Sequence, residues 1–163
     1  MRAANLLILT LTLVLWGTSV QADGKERVTP VTDPATLKRC ADCHMVYPAE
    51  FLPERSWRAL LEKLENHFGD DASVPEAERR QILAYLTANA GDRSGSKQLK
   101  GLSAGVTPLR ITELPRWVRE HEKEVSAAVW ALPSVKSRSN CPACHVNAHL
   151  GDFSERALRV PSS

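Results

Sequence analysis

The placement of cysteine constrains this chain more than any other feature of its sequence. All four cysteines belong to two copies of the pattern C-x-x-C-H, which are CADCH at residues 40–44 and CPACH at residues 141–145. On one helical turn, this pattern places two thiols and an imidazole close together, so that all three can bind one cofactor. That is the arrangement that attaches a c-type haem, with two thioethers to the porphyrin and the histidine on the iron. The two copies therefore predict two covalently bound haems, attached through Cys40, Cys43, Cys141 and Cys144.

Zinc binding and dithiol chemistry are the alternatives for four such cysteines. A zinc site would need the two pairs to converge, but 97 residues separate Cys43 from Cys141, against about 15–20 in the usual zinc spacings. A thioredoxin-like site needs one reactive dithiol on a βαβ frame, whereas this sequence has two pairs and almost no β pattern. Haem attachment is the better interpretation.

The first 22 residues have the composition of a secretory signal. A basic residue, Arg2, precedes an apolar run from Leu6 to Trp16, and small residues end the segment before Asp23. A membrane anchor is the alternative, but the run is shorter than the about 20 residues that a spanning helix needs. We therefore expect export to the periplasm, cleavage before Asp23, and no membrane span in the mature chain.

The second ligand of each iron must come from outside the two signatures. His44 and His145 each fill one side of an iron. Methionine is excluded for the other side, because Met1 leaves with the signal and Met45 adjoins His44. The remaining candidates are three histidines, His67, His121 and His149.

Helical periodicity separates these three candidates. Two long amphipathic helices are predicted, at residues 56–69 and 112–133, with His67 and His121 on their apolar faces. His149 lies four residues after His145. If the helix of the second signature continues, it shares the face of His145 and cannot reach the far side of the porphyrin. We therefore expect His67 to bind the first iron and His121 the second, with a swapped pairing as the alternative.

A linker is predicted between two halves of the mature chain. Glycine, serine and charged residues dominate the segment around residues 93–105. This divides the chain into a signal peptide at 1–22, an N-terminal haem domain at 23–92, the linker at 93–105, and a C-terminal haem domain at 106–163. His67 follows its signature, whereas His121 precedes its own, so the halves are not simple repeats.

The two halves also differ in charge. Residues 23–92 contain nine Lys/Arg against thirteen Asp/Glu, a net charge of −4, and residues 93–163 contain eleven against six, a net charge of +5. Such a dipole could orient docking with a charged redox protein, although ordinary solvated faces would look the same. No basic stripe interleaved with aromatic residues indicates nucleic-acid binding.

Over several longer segments, the sequence resembles the exported dihaem cytochrome c family. The similarity rests on CADCHMVYPAEFLPERSWRALLEKLENHFGDDA and ILAYLTANA in the first half, and on LPRWVREH and NCPACHVNAHLGDF in the second. The resemblance implies a mostly α-helical protein with two small haem domains, the first similar to class I cytochrome c. It also implies bis-histidine ligation by His44 and His67 and by His121 and His145. Family members donate electrons to a small oxygen-binding monohaem cytochrome or exchange them with membrane redox systems.

Electron transfer is the function that these observations favour. An iron held by two imidazoles has no open position for a substrate, so the chain is expected to be a carrier rather than an enzyme. A dihaem peroxidase or reductase, or a haem-based sensor, is the alternative. Each of these would need one iron with an open position or a displaceable ligand.

Overall fold

Short helices account for nearly all of the regular structure. The structure is a computed structural model that describes residues 27–162, so the predicted signal segment lies outside the described residues. Within them, extended pairing is limited to three isolated bridges, which confirms the expected mostly α class. The α-helices are α1 (Pro34–Cys40), α2 (Glu54–Leu61), α3 (Glu76–Ala88), α4 (Gly91–Ser94), α5 (Pro115–His121) and α6 (Ala127–Trp130). The 3-10 turns are Ala49–Phe51, Leu64–Asn66, Lys97–Leu99, Ile111–Glu113, Cys141–Ala143, Ala148–Leu150 and Glu155–Ala157.

Helix α1 carries the first cysteine of the first signature and is held at both ends. Asp33 caps its N-terminus by accepting the backbone N–H of Thr36 at 2.8 Å, and Pro34 occupies the first helical position. Near the C-terminus, the Arg39 guanidinium makes two bonds to Glu78 on α3, at 2.5 and 2.8 Å. The position of Cys40, the last residue of α1, is therefore set by α3.

The hydrophobic core lies mainly between α2 and α3. Trp57, Leu60 and Leu61 are buried on one face of α2, and Ile82 and Leu86 are buried on the facing side of α3. The i, i+3, i+4 spacing of these apolar residues explains why both segments are helical. This core forms the support on which the first signature rests.

The long helix predicted over residues 56–69 is wrong, because α2 ends at Leu61. The carbonyl oxygen of Leu64 accepts the N–H of Ala72 at 2.8 Å, a bond that a helix would give to residue 68. His67 then begins a tight turn in which its N–H donates to Asp70 O at 2.7 Å. The two central residues of the turn have positive φ, 59° at Phe68 and 107° at Gly69. That is the geometry of a two-residue hairpin loop.

The helix predicted over residues 112–133 is also interrupted, since α5 ends at His121 and α6 begins at Ala127. Ser126 causes a restart rather than a continuation, because its hydroxyl accepts the N–H of Val129 at 3.4 Å as an N-cap. Serine competes for backbone bonds in this way and favours caps over helix interiors. His121 is consequently the last residue of a helix.

The segment predicted as a linker, residues 93–105, is folded. It contains the end of α4 and the 3-10 turn Lys97–Leu99, and both Leu99 and Leu102 pack against the core of the first half. Gly91, just before it, leaves no room for a side chain, since an added Cβ would collide with the carbonyl oxygen of Glu50. The connection between the halves is therefore a packed layer and not a free tether.

None of the helices in residues 27–162 combines the length and the apolar character needed to cross a membrane.

Candidate functional site

The first site is a pair of histidines that face each other across a gap. His44 ends the first signature, and the turn after α2 brings His67 to it, with ring centroids 6.3 Å apart and planes inclined by 32°. A metal ion about 2 Å from one nitrogen of each ring would separate the centroids by about 6 Å once the ring radii are added. The spacing of this pair therefore fits one bis-imidazole iron.

The second site repeats this spacing with different elements. His121, at the C-terminal end of α5, faces His145 of the second signature, with ring centroids 6.2 Å apart and planes inclined by 61°. The pairs have the same separation but different relative orientations. The donor set of four imidazoles in two pairs, beside four cysteines without a disulfide, fits two c-type haems.

The ring protonation that the contacts impose agrees with metal binding. Nδ1 of His44 lies 2.6 Å from the carbonyl oxygen of Met45, and Nδ1 of His121 lies 2.9 Å from that of Trp117. Because a carbonyl only accepts, both Nδ1 atoms carry the proton and leave Nε2 free as a ligand. Nδ1 of His145 is buried and has no hydrogen-bond partner within the described chain.

Burial keeps these imidazoles in the form that binds metals. It lowers the pKa of His121 and of His145, and the neighbouring His121 lowers that of His145 further. Burial also lowers the pKa of His67, with smaller contributions from the charges of His44 and Arg110. A lowered pKa keeps imidazole neutral at pH 7, and neutral imidazole is the ligand form.

The two cysteine pairs sit in different backbone settings. Cys40 ends α1, whereas Cys141 opens a 3-10 turn, where its carbonyl oxygen accepts the N–H of His145 at 2.8 Å. Burial raises the pKa of the Cys141 thiol to about 11. At neutral pH this thiol is protonated, unlike the low-pKa thiolate of a dithiol redox enzyme.

Aromatic residues surround the first pair on both sides. Tyr47 stacks on His44, with ring centroids 4.8 Å apart and planes inclined by 27°. Phe68 meets the edge of His67 at 4.8 Å, and the guanidinium of Arg110 lies 3.8 Å from the centre of the Phe68 ring. Arg110 belongs to the second half of the chain, so the first site is completed from across the molecule.

The second pair is enclosed by tryptophans and a phenylalanine. Trp117 lies one turn before His121 on α5 and stacks on it almost face to face, at 4.4 Å and 6°. Trp130 on α6 packs beside Trp117 at 5.9 Å. On the other side, Phe153 contacts His145 at 5.2 Å and also Phe51 of the first half at 5.1 Å.

Several aromatic and charged residues around the two pairs were not predicted from the sequence. Trp57 belongs to the α2–α3 core, where its indole N–H donates to Ala49 O at 2.7 Å. Tyr47, Arg110 and Phe153 went unnoticed, because nothing in their local sequence marks them. Arg110 reaches across to Phe68 beside the first pair, and Phe153 contacts both His145 and Phe51 of the first half.

His149 lies apart from both pairs, as an exposed residue in the 3-10 turn Ala148–Leu150. The helix expected to continue from His145 to His149 is absent, because the 3-10 turn of the second signature ends at Ala143. The expectation that His149 lies on the same helix face as His145 is therefore wrong. That His149 binds no iron remains a prediction.

Comparison with known proteins gives the family of the chain. A family profile described as DHC, dihaem cytochrome c, matches residues 36–153. The structure of the dihaem cytochrome c from Rhodobacter sphaeroides is 53% identical and aligns with a TM-score of 0.73, covering 77% of this chain and 100% of its own. The chain belongs to the dihaem cytochrome c family. As a dihaem cytochrome, it carries two covalently attached c-type haems.

Two further structures resemble this dihaem cytochrome. DHC purified from Rhodobacter sphaeroides is 52% identical, with a TM-score of 0.65, and covers 76% of this chain and 99% of its own. The dihaem cytochrome type c from Shewanella baltica OS155 is 33% identical, with a TM-score of 0.67, and covers 79% and 93%. No protein of curated function matches the sequence. The similarity spans nearly the whole length of each solved relative.

Proposed function

We propose that this dihaem cytochrome is an electron carrier in which both irons are held by two histidines. The single observation that carries the proposal is the pair of imidazole gaps, 6.3 Å and 6.2 Å between ring centroids. His44 and His67 would bind the first iron, and His121 and His145 the second. Cys40 and Cys43 would attach the first haem, and Cys141 and Cys144 the second.

A haem iron between two imidazoles supplies a one-electron couple without an open coordination position. The residues around it restrict what else can happen there. The carbonyls of Met45 and Trp117 fix the tautomers of His44 and His121, so Nε2 of each ring is unprotonated and available to an iron. The stack of Trp117 on His121 resists rotation of that ring. A carrier needs such rigid ligands, because little should rearrange when the charge changes.

The charge distribution supports redox proteins as partners. The net charges of −4 and +5 in the two halves would orient the molecule toward a charged surface. A monohaem oxygen-binding cytochrome and a membrane electron donor are the partners that the family suggests. Export to the periplasm, inferred from residues 1–22, places the carrier where such partners operate.

Ligand binding to the purified holoprotein tests the proposal. We expect two haems per chain by pyridine haemochrome analysis, low-spin spectra in both oxidation states, and no rapid binding of carbon monoxide to the reduced protein or of cyanide to the oxidised protein. Rapid binding of either ligand at one haem would contradict double histidine ligation. It would favour a dihaem enzyme or a sensor instead.

A further inference from the structure

The imidazole of His44 is not held by a helix. His44 is exposed and follows the end of α1, so no helix holds its backbone. Its ring makes one local hydrogen bond, to the carbonyl oxygen of Met45 at 2.6 Å. Besides the facing ring of His67, the ring that contacts His44 is Tyr47, which stacks on it at 4.8 Å and 27°.

Tyr47 takes its own position from the other half of the molecule. Its hydroxyl donates to the carbonyl oxygen of Ser139 at 2.8 Å, across 92 residues of sequence. The same carbonyl accepts the backbone N–H of Cys141 at 3.0 Å. One oxygen atom therefore joins the tyrosine that lies on His44 to the first cysteine of the second signature.

The hydroxyl remains a donor at neutral pH. Burial raises the pKa of Tyr47 to about 12, and the bond to Ser139 offsets part of the rise. The phenol is thus protonated throughout the physiological range, and the link to Ser139 does not switch off with pH.

His121 in the second site has a stacking partner that is held by its own helix. Its stacking partner, Trp117, lies four residues earlier on the same helix, at 4.4 Å and 6°. Residues at i and i+4 share a helix face, so this stack needs only α5 to form. Both stacking partners are therefore close in sequence to their histidine, but Trp117 is held by its own helix, whereas Tyr47 is bonded to Ser139 in the distant half.

We propose that Tyr47 is a positioning residue that couples the two haem sites, fixing the plane of His44 according to the placement of the second signature. The inference rests on the proposed function, since it requires His44 to bind the first iron. Its consequence is that a change at the Ser139 carbonyl reaches the ligand plane of the first haem without passing through either porphyrin.

The angle between the two axial imidazole planes is a measurable quantity in an oxidised haem. In low-spin ferric haems, this angle controls the splitting of the iron d orbitals and so the anisotropy of the electron paramagnetic resonance spectrum. Nearly parallel rings give a rhombic signal, and nearly perpendicular rings give a strongly anisotropic one. With 32° at the first pair and 61° at the second, the oxidised protein should show two distinct low-spin signals.

Three variants of the full-length holoprotein test the role of Tyr47. Tyr47→Phe keeps the ring and removes the hydroxyl, and Tyr47→Leu removes both. Tyr85→Phe is the matched control, because Tyr85 is the second tyrosine of the chain and its hydroxyl accepts the N–H of Thr32 at 3.0 Å, away from both histidine pairs. His67→Ala and His121→Ala identify which signal belongs to which haem.

We expect Tyr47→Phe to shift and broaden the signal of the first haem, Tyr47→Leu to do so more strongly, and Tyr85→Phe to leave both signals at their original g values. Unchanged signals in Tyr47→Leu, or equal shifts of both signals in Tyr47→Phe, would overturn the proposal. A wild-type protein with a high-spin iron would instead refute double histidine ligation itself. The two failures are therefore distinguishable.

Discussion

The two halves of the molecule reach stability by different means. In the first half, α2 and α3 enclose a conventional core whose buried members include Trp57, Leu61, Ile82 and Leu86. In the second half, the buried hydrophobic residues of the described chain are Leu114, Val135, Ala148 and Ala157. Leu114 packs with the core of the first half, so few apolar side chains remain to stabilise the second half by themselves.

This difference indicates which half needs its haem in order to fold. The second half has few buried apolar residues, and its helices α5 and α6 are seven and four residues long. A segment of this kind needs an additional cross-link or cofactor to be stable. Around His121 and His145, the aromatic side chains of Trp117, Trp130 and Phe153 line the pair and take the place of an aliphatic core. The second half is therefore expected to depend on its cofactor for folding, and the first half to depend on it less.

Removal of one haem at a time is expected to have the largest effect. In the double variant Cys141→Ser/Cys144→Ser, we expect loss of the second haem and unfolding of most of the second half, since metal binding is linked to folding there. In Cys40→Ser/Cys43→Ser, the α2–α3 core should keep its helices. Haem content, far-ultraviolet circular dichroism and limited proteolysis measure both outcomes. Equal loss of helicity in the two variants would contradict the asymmetry.

Removal of one distal histidine is the next largest change. His67→Ala and His121→Ala should each convert one haem to a high-spin form that binds carbon monoxide, one ligand per protein, because a methyl group cannot reach the iron. Optical titration with carbon monoxide measures the stoichiometry. His149→Ala is the control and should leave both spectra unchanged. A high-spin band in the His149 variant would show that the ligand assignment at the second iron is incorrect.

Replacement of Arg110, whose guanidinium lies over the Phe68 ring, is expected to have a smaller effect that is confined to the first site. Arg110 lies 3.8 Å from the centre of that ring, and its charge acts on His67. Because a nearby positive charge favours the reduced iron, Arg110→Gln should lower the midpoint potential of the first haem, by on the order of 10 mV at low salt. Redox titration measures the shift, and increasing salt should reduce it.

Arg138→Gln provides the matched control for this substitution. Arg138 lies over Trp130 at 5.3 Å in the second half and also pairs with Glu122 at 3.6 Å. The potential of the first haem should not respond to its loss. A fall of the first-haem potential in Arg138→Gln as large as that in Arg110→Gln would show that the effect is one of net charge.

The smallest expected effect concerns acid stability in the first half. The hydrogen bonds from Arg39 hold the pKa of Glu78 below its usual 4.5, although burial opposes the shift. The contribution of this pair is therefore present above pH 4.5 and is lost as the pH falls through the lowered pKa. Glu78→Gln should flatten the acid limb of the stability curve from thermal denaturation between pH 5 and 3, whereas Glu65→Gln, at an exposed position in the 3-10 turn Leu64–Asn66, should not.

The helix class was predictable from periodicity, but the ends of the helices were not. The apolar spacing of Trp57, Leu60 and Leu61 placed α2 correctly, because its face packs on α3. The same spacing extended the predicted helix through Phe68. In the structure, the bond from the N–H of Ala72 to the carbonyl oxygen of Leu64 replaces the helical bond. Phe68 is exposed, at 44%, so an apolar residue at a suitable interval did not mark a buried face.

The covalent chemistry of this protein was determined by the sequence alone, since each C-x-x-C-H pattern is complete within five residues. Which histidine faces which depended on tertiary structure, because the approach of His67 to His44 follows from a reversed turn that has no local periodicity. The link from Tyr47 to Ser139 is likewise a product of folding. Local patterns specify bonds between neighbours in sequence, whereas contacts across 92 residues arise only when both halves have packed.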